Sequence, residues 1–191
     1  MKLFLTSTIK RDNVIAAMSD FVGGFENKSL IYVPTAANSE EGFGKWKTGE
    51  TYNLMLTLSP NLKIMELEFT EDSDAQKLVK GAGILFLAGG FPGYLSYWIH
   101  RRKLVNTIKS CLDEGMILIG TSAGAMVCAE TVKLSGLYED DPFTDIVPGM
   151  GLIDYEIWPH YKEEDKMVID KAFPGLKVKF LKDGEFIIIS D

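Results

Sequence analysis

The chain has 191 residues, 46% of them hydrophobic and 25% charged, so it is long enough to bury a full core, and a single domain over residues 1–191 is expected. The net charge is −7 and no basic run offsets it, which argues against nucleic acid and anionic membranes as partners. No apolar run is long enough for a signal peptide or a membrane span, so a cytoplasmic location is expected.

The first two thirds of the chain alternate between short β-rich runs and amphipathic segments. The β-rich runs predict strands at residues 3–5, 30–33, 64–67, 84–87 and 116–119. Helices are predicted at residues 14–22, 51–58, 75–80, 94–100 and 104–112, and a polar loop at 37–49. Apolar strands between amphipathic helices indicate an α/β fold, a three-layer sandwich with a mostly parallel central sheet.

The last third of the chain follows a different pattern. An acidic loop is predicted at residues 137–145, a strand at 152–158 and a helix at 162–172. Two further β-rich runs, at 176–181 and 185–189, flank Asp183-Gly184, and Asp-Gly between such runs is a strong turn signal. A C-terminal β-hairpin is therefore predicted.

A Gly-x-Ser-x-Gly turn follows the strand at 116–119 and precedes a run of small residues. This is the layout of a nucleophile elbow, in which a serine lies on a sharp turn between a strand and a helix. Ser122 is the predicted nucleophile, and the amide of Ala123 would face a developing oxyanion. Ligands of parallel sheets bind beyond the carboxyl ends of the strands, where Thr35, Gly89-Gly90 and Ser122 are all expected.

Activation of a serine hydroxyl needs a base, and the chain has two histidines. His100 stands beside two arginines at the end of a helical segment and is interpreted as a surface residue. His160 follows Pro159 at the end of a strand and is the better candidate. A carboxylate should orient the imidazole, and the residues alone leave Asp183, Asp140 and Asp141 as alternatives.

The two cysteines, Cys111 and Cys128, form no metal-binding spacing and are interpreted as buried thiols. The sequence also lacks a dinucleotide or P-loop fingerprint. No metal and no cofactor are therefore expected.

Several segments, in this order, resemble the peptidase E (aspartyl dipeptidase) family of serine peptidases. The segments are Gly120-Thr121-Ser122-Ala123-Gly124-Ala125, Asp141-Pro142, Trp158-Pro159-His160 and Lys182-Asp183-Gly184. The resemblance implies a class I glutamine amidotransferase-like (flavodoxin-like) sandwich that forms one α/β peptidase domain over residues 1–191. It implies catalytic roles for Ser122 and His160 and favours Asp183 as the acid, with Asp141 in reserve.

The resemblance also implies an oxyanion hole and a substrate site. Gly90, or Gly89, corresponds to the family's oxyanion loop and would act together with Ala123. Phe91 stands in that loop, where the family pattern has asparagine after a glycine triplet, and is expected to contribute to substrate binding. The family's arginine after the histidine is absent, and Lys162 or Lys166 would replace it toward a substrate carboxylate.

These observations predict a serine-type dipeptidase with a preference for N-terminal aspartate, acting through an acyl-enzyme as a monomer or homodimer. Two alternatives stay open. One is a non-catalytic module that binds a small molecule on the same fold. The other is an esterase or amidase that uses the same triad on a different acyl group.

Overall fold

The central sheet of the computed structural model, which describes residues 1–137, 141 and 148–190, has six strands. They are β1 (Lys2–Thr6), β2 (Leu30–Val33), β3 (Lys63–Ile64), β4 (Ile84–Leu87), β5 (Ile117–Thr121) and β8 (Phe186–Ser190). The strands lie in the order β3-β2-β4-β5-β1-β8, and the first five in this order are parallel. β8 pairs antiparallel with β1, Leu3 lying opposite Ile189.

Helices cover both faces of the sheet because successive strand residues point to opposite sides. The helices of the described residues are α1 (Asp12–Val22), α2 (Thr35–Glu41), α3 (Glu50–Leu58), α4 (Asp72–Lys80), α5 (Pro92–Arg101), α6 (Leu104–Asp113), α7 (Ala123–Met126) and α8 (Glu163–Ala172). Leu3 and Leu5 pack with residues of α4, α5 and α6, whereas Phe4 packs with residues of α1 and α3 on the other face. The three-layer sandwich with a mostly parallel sheet is thus confirmed.

The C-terminal part forms a second, two-stranded parallel sheet of β6 (Glu156–Trp158) and β7 (Val178–Phe180). β7 and β8 flank the predicted Asp-Gly turn, and they pair with different neighbours, β6 and β1. The turn therefore carries the chain from the second sheet to the edge of the central sheet. α8 packs against the second sheet through Ile169, which shares a small core with Trp158.

Three predicted elements differ from the structure. The segment 37–49 is not a plain loop, because α2 and a 3-10 turn at Lys45–Thr48 occupy most of it and bury Trp46. The strands predicted at 64–67 and 152–158 are shorter in the structure, where they are β3 (Lys63–Ile64) and β6 (Glu156–Trp158). Met65 and Leu67 are buried, but they lie beyond the paired part of β3. Most of the acidic loop predicted at 137–145, namely residues 138–140 and 142–145, lies outside the described residues.

Candidate active site

Ser122 lies on the turn between β5 and α7, as the Gly-x-Ser-x-Gly pattern predicts. Its backbone angles, φ 51° and ψ −116°, cost a non-glycine residue about 1–3 kcal/mol. The Ser122 N–H donates to the carbonyl of Thr6 (2.9 Å), and the Ser122 carbonyl accepts from the N–H groups of Ala125 and Met126 (2.9 and 3.1 Å). Hydrogen bonds to β1 and α7 thus hold the strained turn in place.

The two glycines of the pattern allow α7 to lie directly on the sheet. A Cβ on Gly124 would overlap the carbonyl group of Leu87 in β4, and a Cβ on Gly120 would overlap the carbonyl group of Gly124. Both obstacles are backbone atoms, which cannot move aside as a flexible side chain can. Only glycine at these positions permits the packing that presents Ser122.

His160 follows β6 and reaches Ser122 from the second sheet. Its Nε2 lies 3.1 Å from Ser122 Oγ, which is hydrogen-bond distance. The backbone φ of His160 is 55°, in the left-handed region that non-glycine residues seldom adopt. His160 is thus a second strained residue at this site, and its neutral imidazole could accept the Ser122 proton.

Asp183 holds the other side of the imidazole, since its Oδ1 lies 2.7 Å from His160 Nδ1. Burial by itself would raise the pKa of the Asp183 carboxyl. Hydrogen bonds from Ser7 and His160, together with the charges of His160 and Arg11, outweigh burial and hold that pKa below its usual range. Asp183 is therefore ionised at neutral pH and would stabilise a protonated His160.

The other two sequence candidates occupy different places. Asp141 is buried, and its Oδ2 accepts a hydrogen bond from the Gly93 N–H (2.7 Å) in the first turn of α5. His100 is half-buried, and its Nε2 lies 3.2 Å from the Gly149 carbonyl, so it is not the surface residue that the sequence predicted. Both ring nitrogens of His160 are engaged by Asp183 and Ser122, and this geometry favours Asp183 over Asp141 as the acid.

Ser7, which the sequence patterns do not single out, contacts both His160 and Asp183. It follows β1 and is fully buried. Its hydroxyl donates to Asp183 Oδ1 (2.8 Å) and accepts from the His160 backbone N–H (2.8 Å). Its place at the carboxyl end of a parallel strand is the signal that could have indicated it.

Three predicted oxyanion donors lie around Ser122. Ala123 is the first residue of α7, and a Cβ on Gly89 would lie 3.2 Å from Ser122 Cβ. Gly90 lines the same cavity as Ser122. None of these three backbone N–H groups donates a hydrogen bond to another described residue. Gly89 and Gly90 line the cavity, whereas Ala123 is fully buried behind Ser122.

A cavity of about 290 Å³ opens beside Ser122 and His160. Phe91 lines it, but Lys162 and Lys166 do not. Lys162 precedes α8, where its N–H donates to Asp165, and Lys166 pairs with Asp170 at 2.6 Å. The predicted substrate contacts of Lys162 and Lys166 are therefore not supported.

The wall of the cavity also has aromatic and charged groups. Trp46 and Tyr52, which belong to the segment around α3, form part of its wall. The charged side chains that line it are Lys10, Glu40 and Glu50. Lys10 and Glu50 pair at 3.3 Å and are both well exposed, so their attraction is weak.

Metal-binding groups are not found where the structure describes the chain. No three histidine, cysteine or carboxylate residues of the described ranges stand close enough to hold a metal ion. Cys111 and Cys128 are buried free thiols, and burial raises the pKa of Cys128 far above its usual range. Nor is any described helix both long and apolar enough to cross a membrane.

The site has the geometric pattern of serine hydrolases. A strained serine follows a parallel strand, a histidine lies between it and a carboxylate, and backbone amides lie nearby. The fold and the site thus define an α/β protein with a hydrolase-type site. Residues 3–191 match the profile of peptidase family S51. The chain belongs to this family and is accordingly a peptidase.

Individual relatives agree with this assignment. An uncharacterized peptidase of Pasteurella multocida (strain Pm70) is 27% identical over 201 residues, which cover 100% of this chain and 94% of the relative. Peptidase E of Nostoc sp. (strain PCC 7120) is 32% identical over 134 residues, covering 61% and 53% of the two chains.

A solved structure supports the fold. The crystal structure of a proposed peptidase E protein from Listeria monocytogenes EGD-e superposes with a TM-score of 0.80 at 20% identity. The match covers 98% of this chain and 93% of that one. The predicted resemblance to the peptidase E family is thereby confirmed.

Proposed function

We propose that this chain is a serine peptidase that hydrolyses small peptides through an acyl-enzyme on Ser122. The observation that carries the proposal is the unbroken hydrogen-bonded series from Asp183 through His160 to Ser122, which ends at a cavity. Ser122 Oγ attacks the peptide carbonyl while His160 Nε2 takes the hydroxyl proton. The N–H groups of Ala123 and of Gly90 or Gly89 stabilise the oxyanion.

The same groups complete acylation and then catalyse deacylation. His160 gives its proton to the leaving amine, so the C–N bond breaks and the ester on Ser122 remains. Water then enters, His160 takes one of its protons, and attack on the ester releases the acid and restores the Ser122 hydroxyl. Asp183 stays ionised throughout and stabilises the imidazolium form of His160.

The size of the cavity supports a small substrate. Its 290 Å³ lies at the small end of the range for ligand sites, about 300–1,000 Å³. A dipeptide or a comparable compound suits that volume better than an extended polypeptide. We therefore propose dipeptidase activity.

The charged groups of the cavity support a substrate with both charges. Lys10 can attract a carboxylate, and Glu40 and Glu50 can attract the free α-amine of a peptide. A dipeptide with N-terminal aspartate carries both an α-amine and a side-chain carboxylate. We propose that Lys10, in place of Lys162 or Lys166, provides the preference for aspartate.

Labelling with a fluorophosphonate probe tests the nucleophile. The native chain should be labelled at Ser122, as mapped on peptides, and the Ser122→Ala and His160→Ala variants should not be labelled. Unlabelled but well-folded native protein would contradict an activated serine and favour a binding module. Faster turnover of simple esters than of every dipeptide would instead favour an esterase.

A dipeptide panel tests the substrate preference. Asp-Leu, Ala-Leu and Lys-Leu would be compared on the native chain, Lys10→Gln and the control Lys80→Gln, whose exposed lysine ends α4. Lys10→Gln should lower kcat/KM for Asp-Leu about tenfold, because the variant lacks the charge that attracts the aspartate carboxylate. This loss corresponds to about 1.4 kcal/mol. The kcat/KM for Ala-Leu should stay unchanged. Equal losses for all three dipeptides would contradict the role of Lys10.

A further inference from the structure

We propose that Ser7 is a positioning residue for the reaction: its buried hydroxyl fixes the His160 backbone and the Asp183 carboxylate together, so that the imidazole faces Ser122. The inference rests on the proposed function, since it gives these contacts a purpose in catalysis. It adds a fourth side chain to the site.

The hydrogen bonds account for the proton and one lone pair of the Ser7 hydroxyl. A serine hydroxyl has one proton to donate and can accept two hydrogen bonds. The proton goes to Asp183 Oδ1 at 2.8 Å, and the backbone N–H of His160 donates to Ser7 Oγ at 2.8 Å. His160 Nδ1 also lies 3.3 Å from this oxygen, while its partner at 2.7 Å is Asp183.

The backbone of His160 needs such an anchor. Its left-handed conformation, φ 55°, is unfavourable for histidine and persists only if its surroundings enforce it. The N–H of His160 is bound by the Ser7 hydroxyl, and the next N–H, of Tyr161, donates to the Leu181 carbonyl (3.1 Å). Release of the first bond would let the histidine relax away from Ser122.

Burial explains why Ser7 can do this better than its exposed neighbours. The side chains of His160 and Asp183 are 47% and 40% exposed, so water competes for their hydrogen bonds. Ser7 has no exposed surface and follows a central strand, β1, that also binds the Ser122 N–H through the Thr6 carbonyl. β1 thereby connects the serine to the histidine and its carboxylate through one rigid element.

The test compares Ser7→Ala with Ser96→Ala. Ser96 is an equally buried serine in α5 whose hydroxyl donates only to the Pro148 carbonyl among the described residues. Ser7→Ala should lower kcat and the fluorophosphonate labelling rate about 10- to 100-fold with KM nearly unchanged. Ser96→Ala should lose some stability and keep its rate. Equal rates in the two folded variants would overturn the inference.

A second measurement distinguishes positioning from a general loss of structure. If Ser7 acts through Asp183 and His160, Ser7→Ala should lower the rate less in an Asp183→Asn background than in the native chain, since residues that act as a unit are not additive. The same rate loss in both backgrounds would overturn the inference. Carbon-13 NMR should also show that Ser7→Ala raises the pKa of Asp183, because the hydrogen bond from Ser7 stabilises the ionised carboxylate in the native chain.

If Ser7→Ala does not fold, Ser7→Cys replaces it, and the weak thiol donor should slow labelling about tenfold. A Ser7→Cys variant with the native rate would overturn the inference. If the native chain is not labelled, the proposed function and the inference are both overturned. If the native chain is labelled and Ser7→Ala is labelled at the same rate, only the inference is overturned.

Discussion

The two sides of the candidate site are held in different ways. Ser122 belongs to the central sheet, where the backbones of β1 and α7 fix it by hydrogen bonds and the close approach of α7 leaves no room for a side chain at Gly124. His160 and Asp183 follow the strands of the second sheet, are about half exposed, and depend on side-chain hydrogen bonds.

Because of this difference, we expect substitutions on the two sides to affect different quantities, the folding stability on one side and the reaction rate on the other. Substitutions on the side of Ser122 disturb packing between a helix and the sheet, so they should affect folding first. Substitutions of His160 and Asp183 remove half-exposed groups, which contribute little to the core, so they should affect the rate first. The predictions that follow test this separation.

The largest effect is expected from His160→Ala. Loss of the base should lower kcat/KM by about 10⁴-fold or more, while the free energy of unfolding changes by less than about 1 kcal/mol. Steady-state kinetics on the dipeptide substrate and urea denaturation would measure both. A rate loss accompanied by a large loss of stability would contradict the separation.

Gly124→Ala should show the opposite behaviour. The new Cβ would overlap the Leu87 carbonyl, and overpacking of this kind costs about 3 kcal/mol at the upper end of its usual range. Urea denaturation would measure the loss. Gly83→Ala is the matched control, because its Cβ would meet only ordinary contacts near Ser29, at 3.6 Å. Equal stability of the two variants would show that α7 can shift without cost.

A smaller effect should appear as a pH dependence of stability. The pKa of Asp183 is lower in the folded chain than its usual value of about 3.9, so ionised Asp183 stabilises the fold above that value. This contribution is lost as the pH falls through the lower, folded pKa. The stability difference between the native chain and Asp183→Asn should therefore shrink below about pH 4. A difference that stays constant from pH 7 to pH 2.5 would contradict the shifted pKa.

The sequence predicts the central sheet well because its strands are continuous apolar runs. The predicted strand at 30–33 and that at 84–87 coincide with β2 and β4. The prediction at 37–49 was wrong because α2 is short and polar, and its pattern cannot be told from a loop by periodicity. The apolar pattern around Met65 extends beyond β3 because buried residues need not pair in a sheet.

The candidate site divides in the same way. Ser122 could be predicted because a strand, a turn motif and small residues are adjacent in the sequence. The Asp183 contact joins residues 23 positions apart, and the residues alone did not separate it from Asp141. Ser7 lies 176 positions from Asp183, and no local pattern reports a hydrogen bond across that distance.

The smallest effect is expected at Lys166, on the exposed surface of α8. Lys166 was predicted to bind substrate, but it pairs with Asp170 one turn along α8 at a well-exposed site. Such i,i+4 pairs contribute about 0.3–0.5 kcal/mol, so Lys166→Ala should lower stability by no more than that. Its kcat/KM for Asp-Leu should equal that of the native chain, because Lys166 does not line the cavity. A selective loss of kcat/KM for Asp-Leu in Lys166→Ala but not in Lys10→Gln would contradict this expectation. It would show that the substrate extends from the cavity toward α8 and that Lys166, and not Lys10, contacts the substrate carboxylate.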